Sequence, residues 1–133
     1  MLADPPTVSP VAPLRVLLVD DNADALQLAA MLLELDGIDV RAVSDGWQAL
    51  AMAPLFKPHA VVLDIGMPGI GGIEVGRRLR ADASLGHPLL IALTGYGQAQ
   101  DRQRSNEAGF DHHLVKPVAY PQLLAVVLTA RPA

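Results

Sequence analysis

Five short aliphatic runs alternate along this chain with stretches of helical periodicity, and four of the five close on residues able to do chemistry. Arg15–Val19 ends at Asp20-Asp21-Asn22, residues 59–63 end at Asp64, residues 88–93 at Thr94-Gly95, and residues 112–115 at Lys116-Pro117. Residues 38–43 form the remaining run. Between them Leu26, Ala29, Ala30 and Leu33 recur at helical spacing before Asp36-Gly37. Further helices are expected over 46–52, from the Gly71-Gly72 loop through Arg80, over 98–108 up to Gly109, and over 120–130. Short buried runs alternating with amphipathic helices specify an α/β fold with a parallel sheet covered on both faces. Right-handed crossovers leave few topologies for five strands. The expected architecture is a flavodoxin-like, three-layer fold with strand order 2-1-3-4-5 and five helices.

Open sheets of this kind bind ligands beyond the carboxyl ends of their strands, where the strand order reverses. That crevice lies between the first and third strands. It would gather Asp20, Asp21, Asp64, Thr94 and Lys116 on one rim. One polar residue after a strand is an ordinary loop residue, but five on one rim are a site. Crowded carboxylates repel one another unless a cation sits among them. Oxygen-only ligands suit a hard divalent ion, Mg²⁺ above all. A carboxylate can also attack a phosphoryl group to form an aspartyl phosphate. Such a transfer needs a metal and a positive side chain to neutralise the moving oxygens, with donors to position them. Mg²⁺, Lys116 and Thr94 supply those parts.

Composition narrows the setting. The 133 residues are 51% hydrophobic and 18% charged, enough apolar material for the core of one domain and too much for a disordered chain. Ten basic against fourteen acidic side chains give a net charge of −4, a poor balance for coating nucleic acid. Cysteine is absent, which excludes disulfides, thiolate metal sites and thiol nucleophiles and agrees with a reducing cytoplasm. No apolar run approaches the roughly 18 residues of a membrane span, and the N-terminus has no secretory pattern. Residues 1–13 carry Pro5, Pro6, Pro10 and Pro13 and read as an extended linker or tail, with the domain proper over 14–131.

In its motifs the chain resembles the receiver domain of two-component response regulators. The resemblance rests on Asp20-Asp21-Asn22, the stretch Val61-Val62-Leu63-Asp64-Ile65-Gly66-Met67-Pro68-Gly69, Ala92-Leu93-Thr94-Gly95, and Val115-Lys116-Pro117. These motifs stand in the family's order, 44, 30 and 22 residues apart from Asp20 to Lys116. It implies that Asp64 accepts a phosphoryl group from a histidine kinase or a histidine phosphotransfer protein. Asp20, Asp21, Asp64 and the backbone carbonyl of Gly66 would hold Mg²⁺. Thr94 and Lys116 would each bind a phosphoryl oxygen, Thr94 moving with it, and Gly95 would leave that group room. The Lys116–Pro117 bond would be cis. Such a domain transfers a group onto itself and is not a turnover enzyme.

Departures from the family pattern matter as well. His113 stands where the family most often has an aromatic switch residue. Gly66 and Tyr96 occupy positions that influence how fast the aspartyl phosphate hydrolyses. Leu93-Thr94-Gly95-Tyr96-Gly97-Gln98 resembles receivers attached to hybrid sensor kinases, and the proline-rich leader fits the same origin. The resemblance also implies a signalling surface on the helix over 98–108, the fifth strand and the last helix. The sequence runs out just past that helix, so no DNA-binding or enzymatic output domain is expected within it.

Two alternatives stand beside this reading: an Mg²⁺-dependent aspartyl-phosphate phosphatase, and a receiver-like module that binds a partner without being phosphorylated. Against the first, Asp20-Asp21-Asn22 lacks the Asp-x-Asp spacing of haloacid dehalogenase phosphatases. Against the second, no residue of the acidic pocket is missing. A nucleotide-binding fingerprint is absent, since Gly69-Ile70-Gly71-Gly72 is too short and has no lysine. Trp47, Met31 and Met52 are expected to pack in the core. His112 and His113, adjacent on a strand, point to opposite faces and make a poor chelating pair.

Overall fold

A computed structural model describes residues 12–95 and 99–130. The strands are β1 (Arg15–Val19), β2 (Asp39–Val43), β3 (Ala60–Asp64), β4 (Leu89–Thr94) and β5 (His112–Val115). The helices are α1 (Ala23–Leu35), α2 (Gly46–Phe56), α3 (Gly72–Ala81), α4 (Ala99–Ala108) and α5 (Tyr120–Leu128). All strand pairs are parallel and the order is β2-β1-β3-β4-β5. This is the expected doubly wound topology.

Alternation along the strands divides the core in two. Leu17, Val19, Val61, Leu63, Leu90 and Ala92 face α2, α3 and α4. Val16, Leu18, Ala60, Val62, Ile91 and Leu114 face α1 and α5. β3, in the middle of the sheet, is buried along its whole length, as a strand covered on both faces must be. Asp64 and Thr94 are therefore held as the last residues of strands and not as members of loops, one residue further into the sheet than the aliphatic runs suggest.

Some expectations need correction. Trp47 is not in the core: it is 59% exposed, with the Arg78 guanidinium 5.4 Å from its ring. The cause is Gly46. That residue is buried so closely against Ile70 and Val75 that a Cβ would lie 2.6 Å from each. Gly46, Ala49, Ala53 and Phe56 thus form the inward face of α2, and Trp47, next along the helix, is turned out. Met31 is also outside, 54% exposed, because Leu26, Ala29, Ala30 and Leu33 supply the packed face of α1. Met52 does pack against the core. Helix α2 continues past the expected end at Met52 and through Pro54. Burial of Ala53 and Phe56 favours the extra turn, and Lys57, at φ 52°, closes it by donating its backbone N–H to Ala53 at 2.8 Å. The link between α3 and β4 contains a short 3-10 turn, Ala83–Leu85, started by Asp82, which accepts from the Ser84 N–H.

The Lys116–Pro117 bond is cis. Most of the proline-rich leader, residues 1–11, lies outside the described residues, as do Tyr96 and Gln98.

Candidate phosphoacceptor site

Asp20 and Asp64 are treated alike by the fold. Each follows from a buried strand and each is itself buried. Each uses Oδ1 to accept a backbone N–H two residues on, Asn22 for Asp20 and Gly66 for Asp64, both at 2.9 Å. These short loops hold the carboxylates rigidly and leave Oδ2 of both pointing at one place. Lys116 Nζ occupies it, 3.1 Å from Asp20 and 3.0 Å from Asp64. Asp21, exposed, completes the acidic group, with carboxylate oxygens of all three lying within 4.8 Å of one another. Among the described residues no other cluster could hold a metal.

Thr94 is buried at the end of β4, and its carbonyl accepts the Lys116 N–H at 2.8 Å. That bond ties the hydroxyl-bearing and ammonium-bearing positions to each other across adjacent strands. Burial alone would push the Lys116 ammonium down, but hydrogen bonds to Asp64 and Asp20 outweigh it and hold its pKa above the ordinary lysine value. Lys116 is therefore a full positive charge at neutral pH.

The five rim residues come together as the topology requires. His113 is on β5, half-buried, paired in register with Ala92. Because Leu114 faces α1 and α5, His113 and Val115 lie on the α4 side of the sheet. Three features went unnoticed in the sequence. Gly72 opens α3 so close to β3 that a Cβ would lie 2.6 Å from both the Asp64 carbonyl and Ile65 Cα; the Gly71-Gly72 pair was the available signal. Tyr120 reaches back to α1, its hydroxyl 3.0 Å from the Leu32 carbonyl and 2.6 Å from Asp36 Oδ2. Finally, a mostly apolar cleft of about 600 Å³ runs from Asp20 and Lys116 between α1 and the β5–α5 connection, past Leu26, Ala29, Val118 and Tyr120.

A doubly wound parallel sheet carrying an acidic group and a lysine on its carboxyl rim is the architecture of the CheY-like proteins. Chemotaxis protein CheY4 of Vibrio cholerae superimposes with a TM-score of 0.84 at 27% identity, over 90% of this chain and all of that one. The receiver domain of sensor histidine kinase PA1611 from Pseudomonas aeruginosa, solved with a magnesium ion coordinated in its active-site cleft, gives 0.80 at 29% identity, over 89% and 97%. A family model for the response regulator receiver domain matches residues 16–128. The chain belongs to that family, the receivers of two-component signalling. Among curated relatives, the DNA-binding dual master transcriptional regulator RpaA of Synechocystis is 34% identical over 85% of this chain and 47% of its own length. The chain spans about half the length of the first curated relatives it matches.

Proposed function

We propose that this domain takes a phosphoryl group from a phosphohistidine donor onto Asp64 and switches a partner-binding surface in response. The observation that carries the reading is the paired geometry of Asp20 and Asp64, each with one oxygen tied to the backbone and the other held by Lys116. The Asp64 carboxylate attacks phosphorus as the P–N bond of the donor breaks, leaving the phosphoryl group on Asp64 and neutral histidine on the donor. Lys116, already bonded to Asp64, follows the incoming oxygens and neutralises one of them. The Thr94 hydroxyl binds another and is drawn toward the site.

The three carboxylates form an oxygen-only donor set of the size and hardness that suits Mg²⁺. Asp20, Asp21, Asp64 and the Gly66 carbonyl would hold it, and when bound it would offset charge on the transferring oxygens. A side chain at Gly66 would stand beside the acceptor, since a Cβ there lies 3.5 Å from Asp64 Oδ1. This supports a role for Gly66, with Tyr96, in setting phosphate lifetime.

The donor is a histidine kinase or a histidine phosphotransfer protein. The apolar cleft beside the site and the exposed stripe Leu28, Met31 and Leu35 on α1 offer it a docking face. Thr94 and His113 are the switch positions, on adjacent strands of the sheet, and the output face is α4, β5 and α5. Residues 14–131 act as the receiver, with the proline-rich 1–13 as a linker or tail. Likeness to the sensor-kinase receiver at 29% identity favours a place within a hybrid kinase. No described helix is long and apolar enough to cross a membrane, and the domain is assigned to the cytoplasm, touching neither membrane nor nucleic acid itself.

The test is transfer from a phosphorylated histidine phosphotransfer protein. Label should move to this chain once per molecule and not to Asp64→Asn. Repeated release of phosphate from a small organic ester by the wild type would instead favour a phosphatase. Absence of label under all donors would favour a non-phosphorylated binding module. For the switch, NMR shifts on β5 with and without a stable phosphoryl mimic should differ between wild type and His113→Phe; identical responses would remove His113 from the mechanism.

A further inference from the structure

We infer that Gly46, at the start of α2, is a positioning residue for the phosphoacceptor site, a role that rests on Asp64 as acceptor and Gly66 as metal ligand. Gly46 is the seat on which Ile70 holds the loop that carries Gly66. That loop, residues 65–71, joins β3 to α3 and follows the acceptor directly. Its first half is fixed by the sheet. Ile65 donates its N–H to the Leu93 carbonyl at 3.1 Å, Gly66 donates to Asp64 Oδ1 at 2.9 Å, and Met67 is buried. The second half has fewer anchors. Pro68 and Gly69 are exposed, and a Cβ on Gly69 or Gly71 would meet nothing within 4 Å. Ile70, between those two glycines, packs against the core and meets α2 at Gly46. The loop then ends on Gly72, which lies against the Asp64 carbonyl and Ile65 Cα. A displacement of Ile70 is therefore carried to the backbone of the acceptor.

Space, and not backbone conformation, demands glycine at position 46. Its φ lies outside the left-handed region, and alanine is the better helix former. For the helix alone, alanine would be the favoured residue. A Cβ there would stand 2.6 Å from Cγ2 of Ile70 and of Val75, both on stiff β-branched side chains. It would also stand 2.9 Å from the Ile70 carbonyl oxygen, and no change of rotamer moves a carbonyl. The start of α2 is itself held, by the Asp45 cap on the Gln48 N–H at 2.8 Å and by the burial of Ala49, Ala53 and Phe56. The loop backbone must therefore give way. Close-packed interiors pass such shifts on to their neighbours. Magnesium demands near-ideal octahedral geometry, so a displaced Gly66 carbonyl costs metal affinity while the fold survives.

Mg²⁺ titrations of the full chain followed by amide NMR, paired with thermal melts, separate positioning from stability. Gly46→Ala should bind Mg²⁺ about tenfold more weakly than wild type. It should also take label more slowly from a small phosphodonor, while keeping a folded spectrum. Ile70→Ala, which removes the anchor and adds no atom, should do the same. Ile70→Val keeps Cγ2 and should stay within about twofold of wild type, since volume changes this small are tolerated. Phe56→Leu, buried at the other end of α2, should lower the melting temperature and leave Mg²⁺ affinity unchanged. If Gly46→Ala does not fold, Ile70→Ala decides. Wild-type affinity in a folded Gly46→Ala or in Ile70→Ala overturns the role of Gly46 and leaves the acceptor reading standing. Weakening by Phe56→Leu to the same extent would mark a general loosening and overturn it equally. A wild type that neither binds Mg²⁺ nor takes label removes the proposed function of the site, and this role with it.

Discussion

Two cations reach carboxylates at opposite ends of the sheet, and they are built for different purposes. At the amino ends of β4 and β5, Arg80 spreads its fork over three acceptors. It donates to the Gly109 carbonyl, to the Pro88 carbonyl at 2.9 Å, and to Asp111 at 2.7 Å. Asp111 in turn accepts the Leu90 N–H at 2.8 Å. At the carboxyl ends, among the described residues, the Lys116 ammonium meets Asp20 and Asp64. Arg80 is bound mainly to backbone that has nowhere else to go, whereas Lys116 is bound to charges that, in the proposed function, a metal ion or a phosphoryl group takes over. A planar fork serves the fixed joint and a point charge on a flexible stem serves the movable one. Rigid at one end and exchangeable at the other, the sheet can rearrange its rim without losing its frame.

Breaking the rigid end should have the largest effect on stability. Arg80→Ala leaves the Gly109 and Pro88 carbonyls without their side-chain donor and Asp111 with the Leu90 N–H alone, and should cost about 2 kcal/mol in chemical denaturation. Arg80→Lys should recover only a part, because an ammonium cannot span the three acceptors. Phosphorylation of the folded protein should continue in both. If Arg80→Ala unfolds at the wild-type midpoint, the fixed joint has been misread.

The movable end should respond to ions instead. Magnesium at ten times its Kd should raise wild-type stability by about 1.4 kcal/mol, and Asp21→Ala should reduce that gain. Asp21 is exposed and outside the Lys116 pair, so its loss without metal should leave stability unchanged or slightly higher. Asp20→Ala is different, since it also removes one of the two bonds of Lys116. A thermal melt that is indifferent to magnesium in the wild type would remove the metal from the site.

Alkaline pH sharpens the contrast between the two ends further. Tyr120 is pushed up to about 12, by burial first and by its bond to Asp36 second. Its contribution to stability should be complete below 10.0 and lost as pH climbs toward about 12. Lys116 acts in the same direction: its raised pKa keeps its pairs intact below 10.5 and lets them fade above the raised value. Tyr120→Phe should cost about 1 kcal/mol near neutrality and flatten part of the alkaline decline. An unchanged alkaline slope in Tyr120→Phe would show that the bond to Asp36 is not made in solution.

Most of the fold was legible because strand runs and helix stripes are local signals, and the site was legible because doubly wound sheets put chemistry at strand ends. Asp20, Asp64, Thr94 and Lys116 could be placed on one rim without coordinates. The phase of a helix was harder to read. Trp47 looked like core until the tight fit of Gly46 against Ile70 and Val75 turned it outward, and no periodicity reveals that fit. The fork of Arg80 and the reach of Tyr120 to α1 join residues far apart in sequence. They depend on where loops deliver their carbonyls, which composition does not encode. Even within the site, the carboxylates were expected to await a cation, whereas Lys116 already lies between two of them.

The claim that Asp64 is the acceptor is tested most directly by intact mass after incubation with a small phosphodonor and magnesium, run on wild type, Asp64→Asn and Arg80→Lys side by side. The expected result is one phosphoryl adduct on the wild type and on Arg80→Lys, and none on Asp64→Asn, whose amide is no comparable nucleophile. A stoichiometric adduct on Asp64→Asn, or none on the wild type, would contradict it.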